Sequence, residues 1–331
     1  MVAASSSVRI GNDAETYVFD IAQLKDHIAA SCSNGTWACY DKTTLREAFK
    51  VPKAHSNITG IVSYEQHNGV LTCGTDGKLQ LWDIRNSSAK PVRTWSSESV
   101  PFTCLATNRA EQIAVGSELT RSLASIFLLD ARSEQKIIRQ WNDAHNDDIT
   151  SLQFHPKDNN LLLSGSVDGL VNLIDITKDE DTENADEDPL LHVINHEASI
   201  HLARFLGKRR VLALSHMESY ALYKLKRDLD DKTWTSKEVA SDQDLRQSLP
   251  CSYVIDAFPG NDKHSYMLAF GTFSSNETHL ASLDTDTGEI NKENVVFERM
   301  STEICRAITY DSKNHVYYTG GEDGMLQCFA V

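Results

Sequence analysis

Apolar and polar positions alternate in short runs along this chain, most clearly from His145 to Ile176, HNDDITSLQFHPKDNNLLLSGSVDGLVNLIDI. Ile149, Leu152 and Phe154 fall at near-alternating positions, and Leu170, Asn172 and Ile174 are set against Val171, Leu173 and Asp175. Period-two patterning broken by HPKDNN and VDG predicts three antiparallel strands. Asp168-Gly169 stands between the second and third, and such a pair can take the positive φ values of a tight hairpin. Three strands bury too little to stand alone, so the pattern has to recur if it is to fold.

It does recur. Ile58 to Ile84 repeats it, with Thr75-Asp76-Gly77 matching Val167-Asp168-Gly169 and Leu81-Trp82-Asp83-Ile84 matching Leu173-Ile174-Asp175-Ile176. Ser33-Asn34-Gly35 and Glu322-Asp323-Gly324 mark two further copies near the chain's ends. The spacing of Gly35, Gly77, Gly169 and Gly324 leaves room for three degenerate units, near Ser117–Arg132, Ser215–Tyr223 and Phe270–Leu283. Seven units over 331 residues make about 47 residues each. In the third, ELTRSL lengthens the hairpin and removes the tight turn; the fifth lacks Asp-Gly. The last unit has strands at Ile304–Tyr310, Val316–Gly320 and Met325–Phe329, with only Ala330 and Val331 after them. A propeller blade has four strands. A strand within Ser5–Gly11 is therefore expected to complete this blade as its outermost member and close the ring, making residues 1–331 a single domain.

Composition narrows the function. Lys and Arg total 32 against 47 Asp and Glu, a formal net charge of −15. That excludes general nucleic-acid binding, which needs a basic footprint, and suits a basic protein partner. Residues 178–189 hold seven acidic residues and one basic, and are expected as a solvated, disordered loop between the third and fourth strands of the fourth unit. Residues 224–250 read as a second charged insertion. The seven cysteines are odd in number and form no CxxC pair. Most lie beside apolar residues in expected strands, which points to free thiols and a reducing compartment, nucleus or cytoplasm. The Asn-x-Ser/Thr matches at Asn34, Asn57, Asn86 and Asn276 are then chance. The N-terminal residues form no signal-peptide core, and no stretch is apolar enough to span a membrane.

Trp82-Asp83 is an intact WD dipeptide, and Tyr40-Asp41, Leu129-Asp130, Ile174-Asp175 and Leu283-Asp284 are degenerate forms. With the spacing above, the chain resembles the WD repeats of β-propellers. In the order of its units it is similar to the family of WD repeat-containing protein 89 and its relatives. The resemblance implies an all-β, seven-bladed WD-repeat β-propeller. It also implies hydrogen-bonded structural sets at His55, Thr72, Asp76 and Trp82, and at His145, Ser164 and Asp168, where Ile174 replaces the Trp.

No catalytic, cofactor or metal-binding motif is found. Gly165-Ser166-Val167-Asp168-Gly169 lacks the G-x-S-x-G spacing of a nucleophile elbow, and no HExxH, P-loop or paired-Cys set occurs. The chain therefore reads as a non-enzymatic scaffold, a monomer or a member of a hetero-complex in nuclear or ribosome- and chromatin-related assemblies. Its partner is expected to be a basic protein or peptide, held where first strands begin: Asp143, Asp147, Asp148, Glu197 and Glu303, with Phe102 as an apolar anchor. An alternative rests on Trp82-Asp83-Ile84-Arg85. This stretch resembles the WDxR box of substrate receptors for cullin-RING ubiquitin ligases, with Leu129-Asp130-Ala131-Arg132 as a weaker copy.

Overall fold

The alternation from His145 to Ile176 becomes three strands, Ile149–Phe154, Leu161–Ser166 and Leu170–Asp175, and Leu190–Asn195 adds a fourth. Each pairs antiparallel with the next. Leu161–Ser166 is buried at every position. An inner strand has neighbours on both sides and both faces covered, which is why its sequence reads as one continuous run rather than alternating. In this computed structural model the described residues are 1–10, 16–64, 68–86, 89–97, 100–133, 137–179, 188–228, 230–260, 265–273, 275, 277–291, 295–298 and 303–331.

Six further sheets repeat the plan, and together the seven make a seven-bladed β-propeller. Blade one is Val18–Gln23, His27–Cys32, Trp37–Asp41 and Glu47–Val51; blade two is Ile58–Tyr64, Gly69–Gly74, Lys78–Asp83 and Arg93–Ser96. Blade three is Phe102–Thr107, Gln112–Ser117, Ala124–Asp130 and Ile137–His145. Blade five is Ile200–Phe205, Arg210–Ser215, Tyr220–Arg227 and Trp234–Asp242. Blade six is Tyr253–Pro259, Ser265–Gly271, Glu277–Asp284 and Val295–Glu298; blade seven has Cys305–Asp311, Val316–Gly321 and Met325–Ala330. By packing, the chain divides into two compact units. One is Met1–Ser99, Leu249–Asp284 and Ile290–Val331; the other is Val100–Ser248 and Thr285–Glu289.

The N-terminal residues complete blade seven as expected. Ser6–Arg9 pairs antiparallel with Met325–Cys328, as the outermost strand. Ser5 N–H and Oγ both donate to the Cys328 carbonyl, at 2.8 and 2.9 Å. Ile10 is buried with Val18, Ile28, Tyr40 and Leu326. One pairing was not anticipated. Val2–Ala3 lies parallel to Phe297–Glu298, as a fifth strand of blade six. A buried ion pair, Lys42 Nζ to Asp311 at 2.8 Å, links blade one to blade seven.

Three local expectations are corrected. At Asp168-Gly169 only the glycine takes positive φ, +84°, and its N–H donates to the Ser166 carbonyl at 3.1 Å. The same holds at Gly35, φ +76°, where a Cβ would lie 2.1 Å from the His55 carbonyl oxygen. In blade three the tight turn is displaced rather than lost. Arg121 and Ser122 take φ of +54° and +69°, and Thr120 and Leu123 exchange backbone hydrogen bonds of 2.9 and 3.1 Å. Residues 224–250 are no insertion outside the blade: they supply the end of Tyr220–Arg227, the outermost strand Trp234–Asp242 and the short helix Leu245–Ser248. An outermost strand has an open side, so it tolerates the charges that made this stretch look like a loop. The acidic segment does join the third and fourth strands of blade four, but residues 180–187 lie outside the described residues.

Candidate protein-interaction face

The loops of this propeller are held from beneath by polar sets. In blade two, His55 Nδ1 is 2.8 Å from Asp76, His55 Nε2 is 2.8 Å from Thr72 Oγ1, and Trp82 Nε1–H donates to Thr72 Oγ1 at 2.9 Å. The pattern closes with a neutral imidazole: Nδ1–H donates to Asp76, and Nε2 accepts the Thr72 hydroxyl proton. Burial pushes His55 down despite the opposing pull of Asp76, which keeps the ring in that form at neutral pH. In blade four, His145 Nδ1 is 3.1 Å from Asp168 and Nε2 is 2.8 Å from Ser164 Oγ. Ile174 is buried where the Trp would be. Burial raises Asp168, but the His145 bond and the N–H groups of Asn146 and Leu170 outweigh it and hold the carboxyl below its usual range.

Blade five carries a third set that sequence reasoning missed. His196 lies 3.1 Å from Ser219 Oγ and 3.4 Å from the Tyr223 hydroxyl, and Ser219 is 2.7 Å from Ser215. The signal was present: His196 stands four residues before Ile200, as His145 stands before Ile149. What hid it was the turn, where Glu218 takes the left-handed φ of +57° instead of a glycine.

The sets of blades four and five hold loop backbone: Asp168 accepts the Asn146 and Leu170 N–H groups, and Ser215 Oγ accepts those of Met217 and Ser219. Asp148 Oδ1 accepts the Leu119 N–H at 2.7 Å, tying down the displaced hairpin of blade three. Asp147 Oδ1 accepts the Asp148 N–H at 2.8 Å. The anchored hairpin leaves Leu119 and Leu123 40% and 42% exposed, and in blade five Met217 is 60% exposed. Glu197 is exposed with φ +65°. Arg246, the cation nearest Glu218, is already paired with both Asp244 and Glu218. The surface therefore offers apolar side chains together with carboxylates and one exposed cation, Arg121, at the hairpin tip.

Two of the other anticipated residues, Phe102 and Asp143, are placed differently. Phe102 is 4% exposed and packs edge-on against Phe127, so it is a core residue and no anchor. It opens the first strand of blade three, where a large apolar side chain is covered by packing within the blade. Asp143 is exposed but belongs to the outermost strand of blade three rather than to a loop. Glu303 is exposed ahead of blade seven's first strand, in the first compact unit. Arg85 is folded back on Asp83 in a two-bond fork of 2.9 and 2.7 Å, and Arg132 does the same on Asp130 at 2.9 and 2.6 Å. Among the described residues no group of three or more His, Cys, Asp or Glu is placed to hold a metal, and no helix is long and apolar enough to cross a membrane.

Comparison with known proteins agrees with this architecture. The family model WD domain, G-beta repeat, matches residues 47–83 and 135–175. An uncharacterized WD repeat-containing protein of Schizosaccharomyces pombe is 63% identical over 331 residues, covering 100% of both chains. The WD repeat-containing protein 89 homolog of Dictyostelium discoideum is 27% identical over 321 residues, covering 96% of this chain and 83% of its own. The crystal structure of the Cps50 (Swd1) β-propeller domain of Myceliophteria thermophila superposes with a TM-score of 0.74, covers 99% of each chain and is 16% identical, a likeness of fold alone. Repeat, blade count and a relative that matches end to end agree, and the chain belongs to the family of WD-repeat proteins.

Proposed function

We propose that this WD-repeat propeller is a non-catalytic interaction scaffold whose loop end on blades three to five binds a basic, partly apolar segment of a partner protein. The observation that carries the reading is the hairpin tip of blade three. A turn with two residues at positive φ is ordered by a carboxylate, yet it presents Leu119 and Leu123 to solvent beside Asp147. Exposed apolar side chains supply contact area, and surrounding charge selects and steers the partner. Glu197 and Met217 extend the same pairing of chemistries onto blade five. All seven cysteines are buried and none is in a disulfide, which suits a reducing compartment such as nucleus or cytoplasm.

The test compares proteins co-purifying with the intact chain and with two variants, Leu123→Ser and the pair Asp147→Lys with Glu197→Lys. Asp148 is left intact because it holds the hairpin. Basic proteins should be recovered with the intact chain and lost with both variants, the charge-reversed pair losing most at low salt. An identical partner set for all three chains would remove this surface from consideration.

A further inference from the structure

The outermost strand of a blade has one open side, a template for another strand unless charge blocks it. Here most outermost strands carry that block: Lys50 in blade one, Arg93 in blade two, Arg139 in blade three, Lys237 in blade five and Arg9 in blade seven. Two are nearly or wholly uncharged. Val295–Glu298 of blade six has only its terminal Glu298, and Val2–Ala3 of the same chain lies along it as an added strand. Leu190–Asn195 of blade four, LLHVIN, has no Asp, Glu, Lys or Arg, and among the described residues no strand pairs with its outer edge, although His192 Nε2 lies 2.9 Å from Ser236 Oγ of blade five. It leaves Leu190 42% and Val193 40% exposed.

A cleft of about 760 Å³ opens where that strand begins, lined by Leu190, Leu191 and Trp234 together with Asp158, Asp175, Asp188 and Asp231. These four carboxylates are half-occupied. Asp158 Oδ1 accepts the Asn160 N–H, Asp175 Oδ1 the Thr177 N–H and hydroxyl, Asp188 Oδ1 the Leu190 N–H, and Asp231 Oδ1 the Thr233 N–H and hydroxyl. In each the second oxygen has no partner among the described residues, and none of the four is in an ion pair there. Three cations also line the cleft. Arg227 lies over the Trp234 ring at 5.7 Å and Lys178 Nζ donates to the Asp188 carbonyl at 3.2 Å; Lys232 is the third. A fifth aspartate, Asp230, leaves the lining net acidic.

We propose that the open edge of Leu190–Asn195 receives an extended segment of a partner protein as a fifth strand of blade four, with a lysine or arginine of that segment in the cleft. Backbone pairing along an edge supplies affinity, and pockets for side chains supply specificity. The stem of a long basic side chain rests on Leu190, Leu191 and Trp234 while its charge meets the unpaired carboxylate oxygens. Blade six satisfies a similar edge from within the chain. This rim is a different surface from the loop end, so either reading can fail without the other.

The experiment uses the full chain and a fluorescein-labelled peptide of alternating lysine and valine, with an alternating glutamate–valine peptide as control. Anisotropy measures binding, and hydrogen–deuterium exchange locates it. The lysine–valine peptide should bind saturably and slow exchange across Leu190–Asn195. Val193→Lys, on an exposed side chain, should weaken binding about tenfold, a 1.4 kcal/mol change. Asp231→Lys, on an exposed turn, should weaken it less and more strongly at low salt; melting curves confirm that both variants fold. The proposal is overturned by absent binding, by equal binding of the glutamate–valine peptide, or by protection elsewhere with both variants unchanged. Self-association of the chain that Val193→Lys abolishes would also overturn it, because the occupant would then be a second copy.

Discussion

Replacing Ile10 with alanine should destabilise the propeller more than its place near a chain end suggests. Ile10 is 1% exposed, and its backbone is held on both sides: its N–H donates to the Gly324 carbonyl at 3.0 Å and its carbonyl accepts Lys50 Nζ at 3.1 Å. The side chain cannot follow a collapsing cavity, so the large-to-small cost of about 2–5 kcal/mol applies. At about 2.1 cal/mol/K per residue, a chain of 331 residues unfolds with roughly 0.7 kcal/mol/K. The melting temperature should therefore fall by about 3–7 °C. Differential scanning calorimetry on a graded series checks this. Deleting residues 1–4 removes the two-residue pairing with blade six and the packing of the partly buried Val2 and Ala4 against the Phe297 and Phe329 cluster, but leaves Ile10 in place, and should shift the transition least. Deleting residues 1–10 also uncovers the edge of Met325–Ala330, so it should shift the transition at least as far as Ile10→Ala and cause self-association in gel filtration. If the two compact units melt separately, only the transition of the unit holding blades one, two, six and seven should move. An unmoved transition in Ile10→Ala, or equal shifts for the two deletions, would refute the reasoning.

Thr72→Val strands both the Trp82 N–H and His55 Nε2 and should cost about 2–5 kcal/mol in urea unfolding, whereas Ser164→Ala strands only His145 Nε2 and should cost about 1–3; equal losses would show that the Trp82 bond contributes nothing. Burial holds His55, His196 and His216 below the 6.5 of the unfolded chain, so the unfolded state takes up protons first. Stability should be full above about pH 7 and fall as pH drops below 6.5, with a second loss at lower pH as Asp168 and Asp311, held below the ordinary aspartate value, protonate. Melting temperatures that rise on acidification from pH 7.5 to 5.5 would contradict this. Burial pushes the thiols of Cys32, Cys39 and Cys104 up to about 12, and all seven cysteines are buried. A thiol reagent should accordingly label the native chain at pH 8 hardly at all and the urea-unfolded chain fully; rapid native labelling would show an opened blade.

The amino-acid sequence alone determined what is local or strictly periodic. Strand positions follow from period-two alternation, and Gly35, Gly77, Gly169 and Gly324 are legible because each occupies a left-handed turn position that costs other residues more. The polar sets of blades two and four were legible through the resemblance to WD repeats, with Thr72 and Ser164 each four residues before its Asp and the Trp present in blade two alone. Closure by Ser6–Arg9 followed from counting strands in blade seven. Tertiary structure alone decided which side chains the blades cover. Phe102 and Leu119 are both apolar residues near strand ends, yet Phe102 is buried against Phe127 while Leu119 is held out on a hairpin by Asp148. Glu218 adopts a glycine's backbone because His196, Ser219 and Ser215 hold the turn around it. Val2–Ala3 pairs with blade six because Ser6–Arg9 is already fixed on blade seven and carries the preceding residues there. Alternation records whether a side chain points inward or outward from its own strand. Coverage depends on what the neighbouring elements place against it, and that is set only when the blades pack.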